Sequence, residues 1–201
     1  MELDLDLTKR YSFADYLTWF DGRRRELWDG FIKMMTPAPS SYHQATSSTI
    51  QGEIYSFLKK KNKNRKCKIF DAPFDVRFPK NNEKDDKKIY TVVQPDIVII
   101  CDRNKIDKRG CIGAPDFIAE IISPSTAKND RDYKYKLYER EGVKEYWIVS
   151  PHEKIVQSYI LKDKKYIENG IFAKDEKIPV HIFNNELEIE INDIFEDFLE
   201  E

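Results

Sequence analysis

Short apolar runs with the character of β-strands dominate the middle of the chain. Four such runs, each bounded by turn residues or charges, lie at residues 67–70, 74–78, 91–100 and 116–122. A polar segment from Asn129 to Glu141 follows them and ends at Gly142, which predicts a helix with a glycine after its last turn. The next apolar run, residues 145–150, predicts a strand that returns beside the preceding one. Strand, helix and strand in close succession predict a right-handed parallel crossover.

The first third of the chain has signals for helices and a hairpin. Ser12 with Asp15 three residues later resembles a capping signal, so a short helix is predicted over residues 13–20. Two apolar runs flank Asp29-Gly30, a dipeptide that tolerates positive φ and predicts a tight hairpin. A helix is predicted over residues 43–61. Its apolar stripe consists of Ile50, Ile54, Phe57 and Leu58.

The last third of the chain predicts additional antiparallel strands. They are expected at residues 154–161, 166–167, 180–183 and 187–191, with a short acidic helix from Asn192. Tyr146 and Trp147 are expected to pack against the helix of residues 129–141. Together these elements predict an α/β fold with a central mixed β-sheet, flanking helices and extra antiparallel strands. No repeat or linker divides the 201 residues, so one domain is expected over residues 1–201.

Composition excludes some classes of protein and leaves others open. The 34 basic and 36 acidic residues nearly cancel, so any site for a polyanion has to be local. The sequence has neither a signal peptide pattern nor an apolar run long enough to span a membrane, and a cytoplasmic location is expected. Cys67, Cys101 and Cys111 are odd in number and lack metal-site spacing, so they are expected to be reduced thiols.

Two carboxylates stand at strand positions, where an ionised side chain is costly to bury. Asp96 follows Pro95 and opens an apolar run, and Glu120 interrupts the next apolar run. Pro95 lacks a backbone donor, so Asp96 is expected at a strand end or a bulge. Residues 103–115 are predicted to form one long loop that brings the two strands side by side. Adjacent strands place side chains about 5 Å apart, which one Mg²⁺ or Mn²⁺ ion can bridge.

Several of these motifs, in order, resemble the Uma-type endonucleases, a PD-(D/E)xK restriction-endonuclease-like branch. They are Pro95-Asp96, the run from Glu120 to Ser125, the helix positions Thr126, Asp130, Lys134 and Tyr138, and residues 142–149. Residues 26–32 and 37–43 also match the early Glu, Gly and His positions. The resemblance extends from about Tyr11 to Phe195 and implies a restriction-endonuclease-like core.

The resemblance implies a role for five residues. Asp96 and Glu120 match the metal-binding acids, and Lys134 matches a catalytic lysine that has moved onto the helix, because Ile122 occupies the usual lysine position. Glu26 and His43 match further site positions with unassigned roles. The structural alternatives are a solvated helix face for Lys134, a cap or packing role for His43 and a cross-strand ion pair for Glu26, which stands beside Arg23, Arg24 and Arg25.

The resemblance also implies an activity, a cofactor and a partner. The expected reaction is hydrolysis of nucleic-acid phosphodiester bonds, with DNA as the expected substrate, by an Mg²⁺-dependent endonuclease, and a homodimer is expected by analogy. The alternative is a catalytically inactive nuclease-fold module that binds nucleic acid or protein. Ile122 and the lack of net positive charge favour that alternative. Basic runs at residues 23–25, 59–68 and 103–109 could contact phosphates or form solvated surfaces.

Overall fold

A computed structural model describes residues 3–35, 39–61, 66–123 and 130–195. In these ranges the chain forms two mixed sheets of six strands each, a two-stranded sheet and four α-helices. The helices are α1 (Phe13–Tyr16), α2 (Ser41–Lys61), α3 (Tyr135–Glu141) and α4 (Ile191–Ile194). A π-helical turn, Asp130–Lys134, directly precedes α3.

The central sheet has the strand order β12-β11-β10-β9-β6-β3. Its strands are β3 (Lys68–Asp71), β6 (Ile97–Ile100), β9 (Phe117–Ile121), β10 (Glu145–Ser150), β11 (Ile155–Lys162) and β12 (Lys165–Phe172). β9 and β10 are parallel, as the predicted crossover requires, and the other neighbours are antiparallel. This pairing confirms the central mixed sheet and the antiparallel strands added after β10.

The second six-stranded sheet, here called the N-terminal sheet, has the order β2-β1-β5-β4-β8-β7. Its strands are β1 (Arg25–Trp28), β2 (Phe31–Met34), β4 (Val76–Arg77), β5 (Val92–Val93), β7 (Ile106–Asp107) and β8 (Gly110–Ile112). The predicted strand of residues 91–100 is therefore two strands in different sheets. Pro95, which cannot donate a ladder hydrogen bond, lies where the chain passes from one sheet to the other.

Local signals near the N-terminus predict where the observed elements begin, although α1 ends at Tyr16 and not at Phe20 as predicted. The Ser12 side chain accepts from the backbone of Asp15 while the Asp15 carboxylate accepts from Ser12, so both halves of a capping box are present at α1. Asp29 and Gly30 have φ values of 50° and 94° and connect β1 to β2. In α2, Ile50, Ile54 and Leu58 are buried as predicted.

The central sheet buries a hydrophobic cluster on each face. On one face Ile97, Phe117 and Trp147 pack with α2, and on the other Ile118, Tyr138 and Tyr146 pack together with α3. Tyr146 therefore contacts α3 as expected, with its ring 5.1 Å from that of Tyr138. The expectation for Trp147 is wrong, because neighbouring strand residues point to opposite faces. Its ring lies 5.0 Å from that of Phe117.

Two predictions of local structure fail. Residues 103–115 are not a single loop, because β7 and β8 pair with each other and β8 pairs with β4. Residues 180–183 do not form a strand, since His181–Phe183 is a short 3-10 helix. The remaining C-terminal pair, β13 (Lys177–Pro179) and β14 (Glu188–Glu190), forms the separate two-stranded sheet. Such short segments depend on tertiary pairing more than on their own propensity.

The expectation of three reduced thiols is also wrong. Cys67 and Cys101 form a disulfide, and Cys111 is free and buried. In the β3–β6 register Lys68 lies opposite Ile100, which places the two cysteines next along their strands across from each other. Burial raises the pKa of the Cys111 thiol to about 12.

None of the helices in the described ranges combines the length and apolar character needed to cross a bilayer.

Candidate active site

Asp96 and Glu120 lie side by side where β6 begins next to β9. β6 and β9 are antiparallel with Ile97 opposite Ala119, so the next pair along the register is Asp96 and Glu120. Residues opposite each other in this way project to the same face. The Asp96 Oδ2 also accepts a hydrogen bond of 2.8 Å from the backbone N–H of Ile121. The adjacency predicted from the sequence is therefore present, and Asp96 lies just before a strand as expected.

Glu120 is almost fully buried and receives charged and neutral donors. Its Oε1 lies 2.9 Å from Lys134 Nζ and accepts a hydrogen bond of 2.6 Å from the Tyr138 hydroxyl. Burial raises the pKa of Tyr138 well above its usual value, and the nearby Glu120 and Glu26 charges add to that effect. The phenol consequently stays protonated and remains a donor to the carboxylate.

Lys134 lies at the end of the π-helical turn and is buried rather than on a solvated helix face. Its ammonium contacts Glu120 and, at 3.4 Å, Glu26 Oε1. The spacing of four residues places Lys134 and Tyr138 on the same helix face, and both reach Glu120. The third residue of that predicted face, Asp130, has a side chain outside the described structure. Thr126 also lies outside it.

Glu26 is the residue that the N-terminal sheet contributes to the candidate active site. Besides Lys134, it contacts the indole N–H of Trp28 through Oε2 at 2.8 Å and the backbone N–H of Gln94 through Oε1 at 2.9 Å. The neighbouring arginines have other partners: Arg25 pairs with Asp21, and Arg24 donates to the Gln94 side chain. Glu26 therefore joins β1 to the catalytic candidates instead of balancing the adjacent arginine run.

His43 approaches Asp96 from the start of α2. Its Nε2 lies 3.2 Å from Asp96 Oδ2, and both side chains are about one-fifth exposed. The His43 Nδ1 is buried and has no hydrogen-bond partner in the described part of the chain. His43 Nε2 is therefore the ring nitrogen that is placed to donate to the Asp96 carboxylate.

The acids of this site fit a hard divalent cation. Over the described ranges no group of three or more His, Cys, Asp or Glu residues is placed to hold a metal ion. Mg²⁺, however, commonly takes only one or two carboxylates and keeps several waters. The described partners of Asp96, Ile121 and His43, both contact Oδ2, which leaves Oδ1 as the oxygen best placed for a cation. Asp96 and Glu120 are therefore the two carboxylates of this site that could hold such an ion.

A stacked aromatic pair next to Lys134 was not singled out by the sequence. The rings of Trp28 and Tyr133 lie 4.0 Å apart at an angle of 7°, and the Tyr133 hydroxyl donates to Asp29 Oδ2 at 3.3 Å. Trp28 lies two residues after Glu26, and side chains two apart on a strand share a face. This two-residue alternation is the sequence signal that could have identified Trp28. No sequence signal could have identified the contact between Gln94 and Glu26, because Gln94 makes it with its backbone N–H.

The other candidates are exposed or have partners of their own. His152 and His181 are exposed, as expected. Lys59, Lys60 and Lys61 are exposed in the last turn of α2, and residues 62–65 lie outside the described chain. In the basic segment 103–109, Arg109 pairs with Asp86 and Lys105 donates to the carbonyl of Ala114.

The fold and the site together define a class: a restriction-endonuclease-like core with two acids on adjacent strands and a lysine from the next helix. A crystal structure of a "putative nuclease belonging to DUF820" from Anabaena variabilis ATCC 29413 is similar over 92% of this chain and 97% of its own, with a TM-score of 0.69 and 23% identity. At that identity the similarity concerns the fold.

The sequence comparison gives the family. A model of the Uma2 family, described as "Putative restriction endonuclease", matches residues 13–192, and the chain belongs to this family. A relative from Synechocystis sp. (strain ATCC 27184 / PCC 6803 / Kazusa), "Uncharacterized protein slr1290", is 24% identical over 169 residues, which span 83% of this chain and 76% of that protein. Family membership agrees with the resemblance carried by Asp96, Glu120 and Lys134.

Proposed function

We propose that this protein is an endonuclease that hydrolyses phosphodiester bonds of nucleic acid, with DNA as the substrate and Mg²⁺ or Mn²⁺ as the cofactor. The observation that carries the proposal is the convergence of Asp96 and Glu120 on neighbouring strands with Lys134 at 2.9 Å from Glu120. Ile122 occupies the position of the usual catalytic lysine. Lys134, on the helix that follows, takes the place of that lysine, and its ammonium contacts Glu120.

Asp96 and Glu120 are the side chains that would hold the cation. The chemistry that such an ion supplies when bound is Lewis-acid stabilisation of phosphate charge and a water of lowered pKa. His43 and the Ile121 N–H fix Asp96 through Oδ2, so the orientation of Oδ1 is set before the cation arrives. The Tyr138 hydroxyl similarly fixes Glu120. Such fixed ligands reduce the entropy lost on binding.

Lys134 would act on the charge that develops on the phosphoryl group. It is buried, and its ammonium is held between Glu120 and Glu26, so it needs little reorganisation when substrate binds. Glu26 acts as a positioning residue in this scheme, because its other contacts join it to Trp28 and Gln94 in the N-terminal sheet.

An inactive binding module is the second candidate. Ile122, which is buried, occupies the position where the resemblance places the usual lysine, and net charge is -2. Metal binding separates the two candidates, since a degenerate site has no need to retain a divalent cation between Asp96 and Glu120.

Calorimetric titration with Mn²⁺ tests the cofactor. Asp96→Asn removes one anionic ligand, so we expect its affinity for Mn²⁺ to fall at least tenfold while its circular dichroism stays that of the wild type. Asp163→Asn is the matched control, because Asp163 is exposed in the turn between β11 and β12 and has a φ of 50° that Asn tolerates. Equal Mn²⁺ binding by the wild type and Asp96→Asn would contradict the assignment.

A further inference from the structure

The β1–β2 hairpin presents one face toward the candidate active site. Glu26 is opposite Lys33 and Trp28 is opposite Phe31 in the antiparallel register, so all four side chains project to the same side. Glu26 contacts Lys134, and Trp28 stacks on Tyr133, the neighbour of Lys134. We call Trp28, Phe31 and Lys33 the hairpin face.

Lys33 on this face is a positioned cation without a carboxylate partner. The usual partner of a lysine opposite a glutamate is that glutamate, but Glu26 is turned toward Lys134, Trp28 and Gln94. Lys33 Nζ instead lies 5.2 Å from the centre of the Trp28 ring, and Lys33 forms no ion pair with any residue that the structure describes. Lys33 is partly buried and its ammonium lies over a ring, so this cation is placed to meet an external anion.

Phe31 supplies an apolar surface beside that cation. Its side chain is 45% exposed although Phe is normally buried, and it lies across the hairpin from Trp28. The Trp28 ring already has two partners, because Tyr133 stacks on it and Lys33 lies over it. A free aromatic ring next to an unpaired cation matches a nucleotide, whose base stacks on the ring while a backbone phosphate meets the ammonium.

We propose that the hairpin face binds a nucleic-acid strand next to the scissile phosphate, with Lys33 on a backbone phosphate and Phe31 stacked on an unpaired base. This inference rests on the proposed function and specifies its substrate class. Stacking on Phe31 requires a base outside a duplex, and removing a base from its stack costs free energy. The preferred substrate is therefore single-stranded or locally unpaired nucleic acid rather than an intact duplex.

Binding without catalysis tests the hairpin face separately from cleavage. The measurement is fluorescence anisotropy of a labelled single-stranded DNA, and of the same sequence as a duplex, in EDTA at several salt concentrations. We expect the wild type to bind the single strand more tightly. Phe31→Ala should weaken single-strand binding by roughly 5-fold or more with an unchanged salt slope. Lys33→Ala should reduce the slope of log affinity against log salt by about 0.7.

Two matched variants control for general surface effects. Lys162 is exposed at the far end of β11, and Tyr55 is 56% exposed on α2, so Lys162→Ala and Tyr55→Ala should bind like the wild type. Three results would refute the proposal that the hairpin face binds a single strand. They are wild-type affinity in both hairpin variants, a preference for duplex, and no binding by the wild type. If the wild type cleaves in a metal-dependent way but the hairpin variants bind normally, the endonuclease proposal is supported and only the proposal for the hairpin face is refuted. Binding through Lys33 and Phe31 without cleavage would instead refute the endonuclease alone.

Discussion

At the scale of single residues, Glu145 is a buried carboxyl that the candidate active site does not use. It accepts hydrogen bonds from the indole N–H of Trp147 and the backbone N–H of Ile182, both at 2.8 Å. Burial nevertheless raises its pKa from the usual 4.5 to about 7. The folded protein therefore binds this proton more tightly than the unfolded chain does.

The sign of the resulting pH dependence follows from that comparison. As pH rises from about 4.5 to about 7, the unfolded chain ionises Glu145 first, so this residue lowers the free energy of unfolding, by on the order of 3 kcal/mol in total. Glu145→Gln cannot ionise and should lack this loss. Urea unfolding of both proteins at several pH values measures it. A difference between them that is independent of pH across this window would contradict the shifted pKa.

At the scale of elements, Trp28 joins the β1–β2 hairpin to the helix that carries Lys134. It stacks on Tyr133 and donates to Glu26, so it holds two neighbours of Lys134 at once. We expect Trp28→Phe, which keeps a ring but loses the 2.8 Å hydrogen bond to the Glu26 carboxylate, to lower the free energy of unfolding by about 1.5 kcal/mol. Trp28→Ala loses the stacking as well and should lower it by about 2 to 4 kcal/mol.

Phe20 offers the control for Trp28. Its side chain is 89% exposed, so Phe20→Ala should change the free energy of unfolding by less than about 0.5 kcal/mol. Urea denaturation of the three variants measures these values. Equal stability of Trp28→Ala and Phe20→Ala would mean that the stacked pair does not connect the hairpin to the π-helical turn before α3.

The elements also show where reasoning from sequence succeeds. The capping box at Ser12, the turn at Asp29-Gly30 and the apolar stripe of α2 depend on neighbours within a few residues, and each was predictable. Strand partners are a different matter. Residues 91–100 divide between two sheets, and β7 pairs with β8. Both features depend on contacts between distant segments, which strand propensity does not predict.

At the scale of the whole molecule, the candidate site depends on residues far apart in sequence. The side-by-side placement of Asp96 and Glu120 was inferred from the order of strands, and the choice of Lys134 among many charged neighbours came from the family resemblance alone. The Glu26–Lys134 contact joins the N-terminal sheet to the π-helical turn that precedes α3. No pattern of neighbouring residues in the sequence predicts this contact. The Cys67–Cys101 disulfide likewise follows from the β3–β6 register, which the sequence did not reveal.

Lys134 holds that assembly together and is also its proposed catalytic group. Lys134→Ala leaves Glu26 and Glu120 buried without their cation, so we expect a loss of about 3 kcal/mol in the free energy of unfolding. Activity therefore has to be compared at a temperature where circular dichroism shows that the variant is folded. Lys134→Arg keeps the charge and should recover part of both the stability and the rate. Lys136, which is exposed two residues further along, is the control.

Single-turnover cleavage of single- and double-stranded DNA with Mg²⁺ and with Mn²⁺ tests the central claim most directly. We expect metal-dependent cleavage by the wild type, a loss of roughly 10²- to 10³-fold in Lys134→Ala with Mn²⁺ affinity retained, and a rate near that of the wild type in Lys136→Ala. Equal losses in the two lysine variants would reduce Lys134 to one charge among several on the helix. A wild-type protein that cleaves neither substrate with either metal would contradict the endonuclease and favour the binding module.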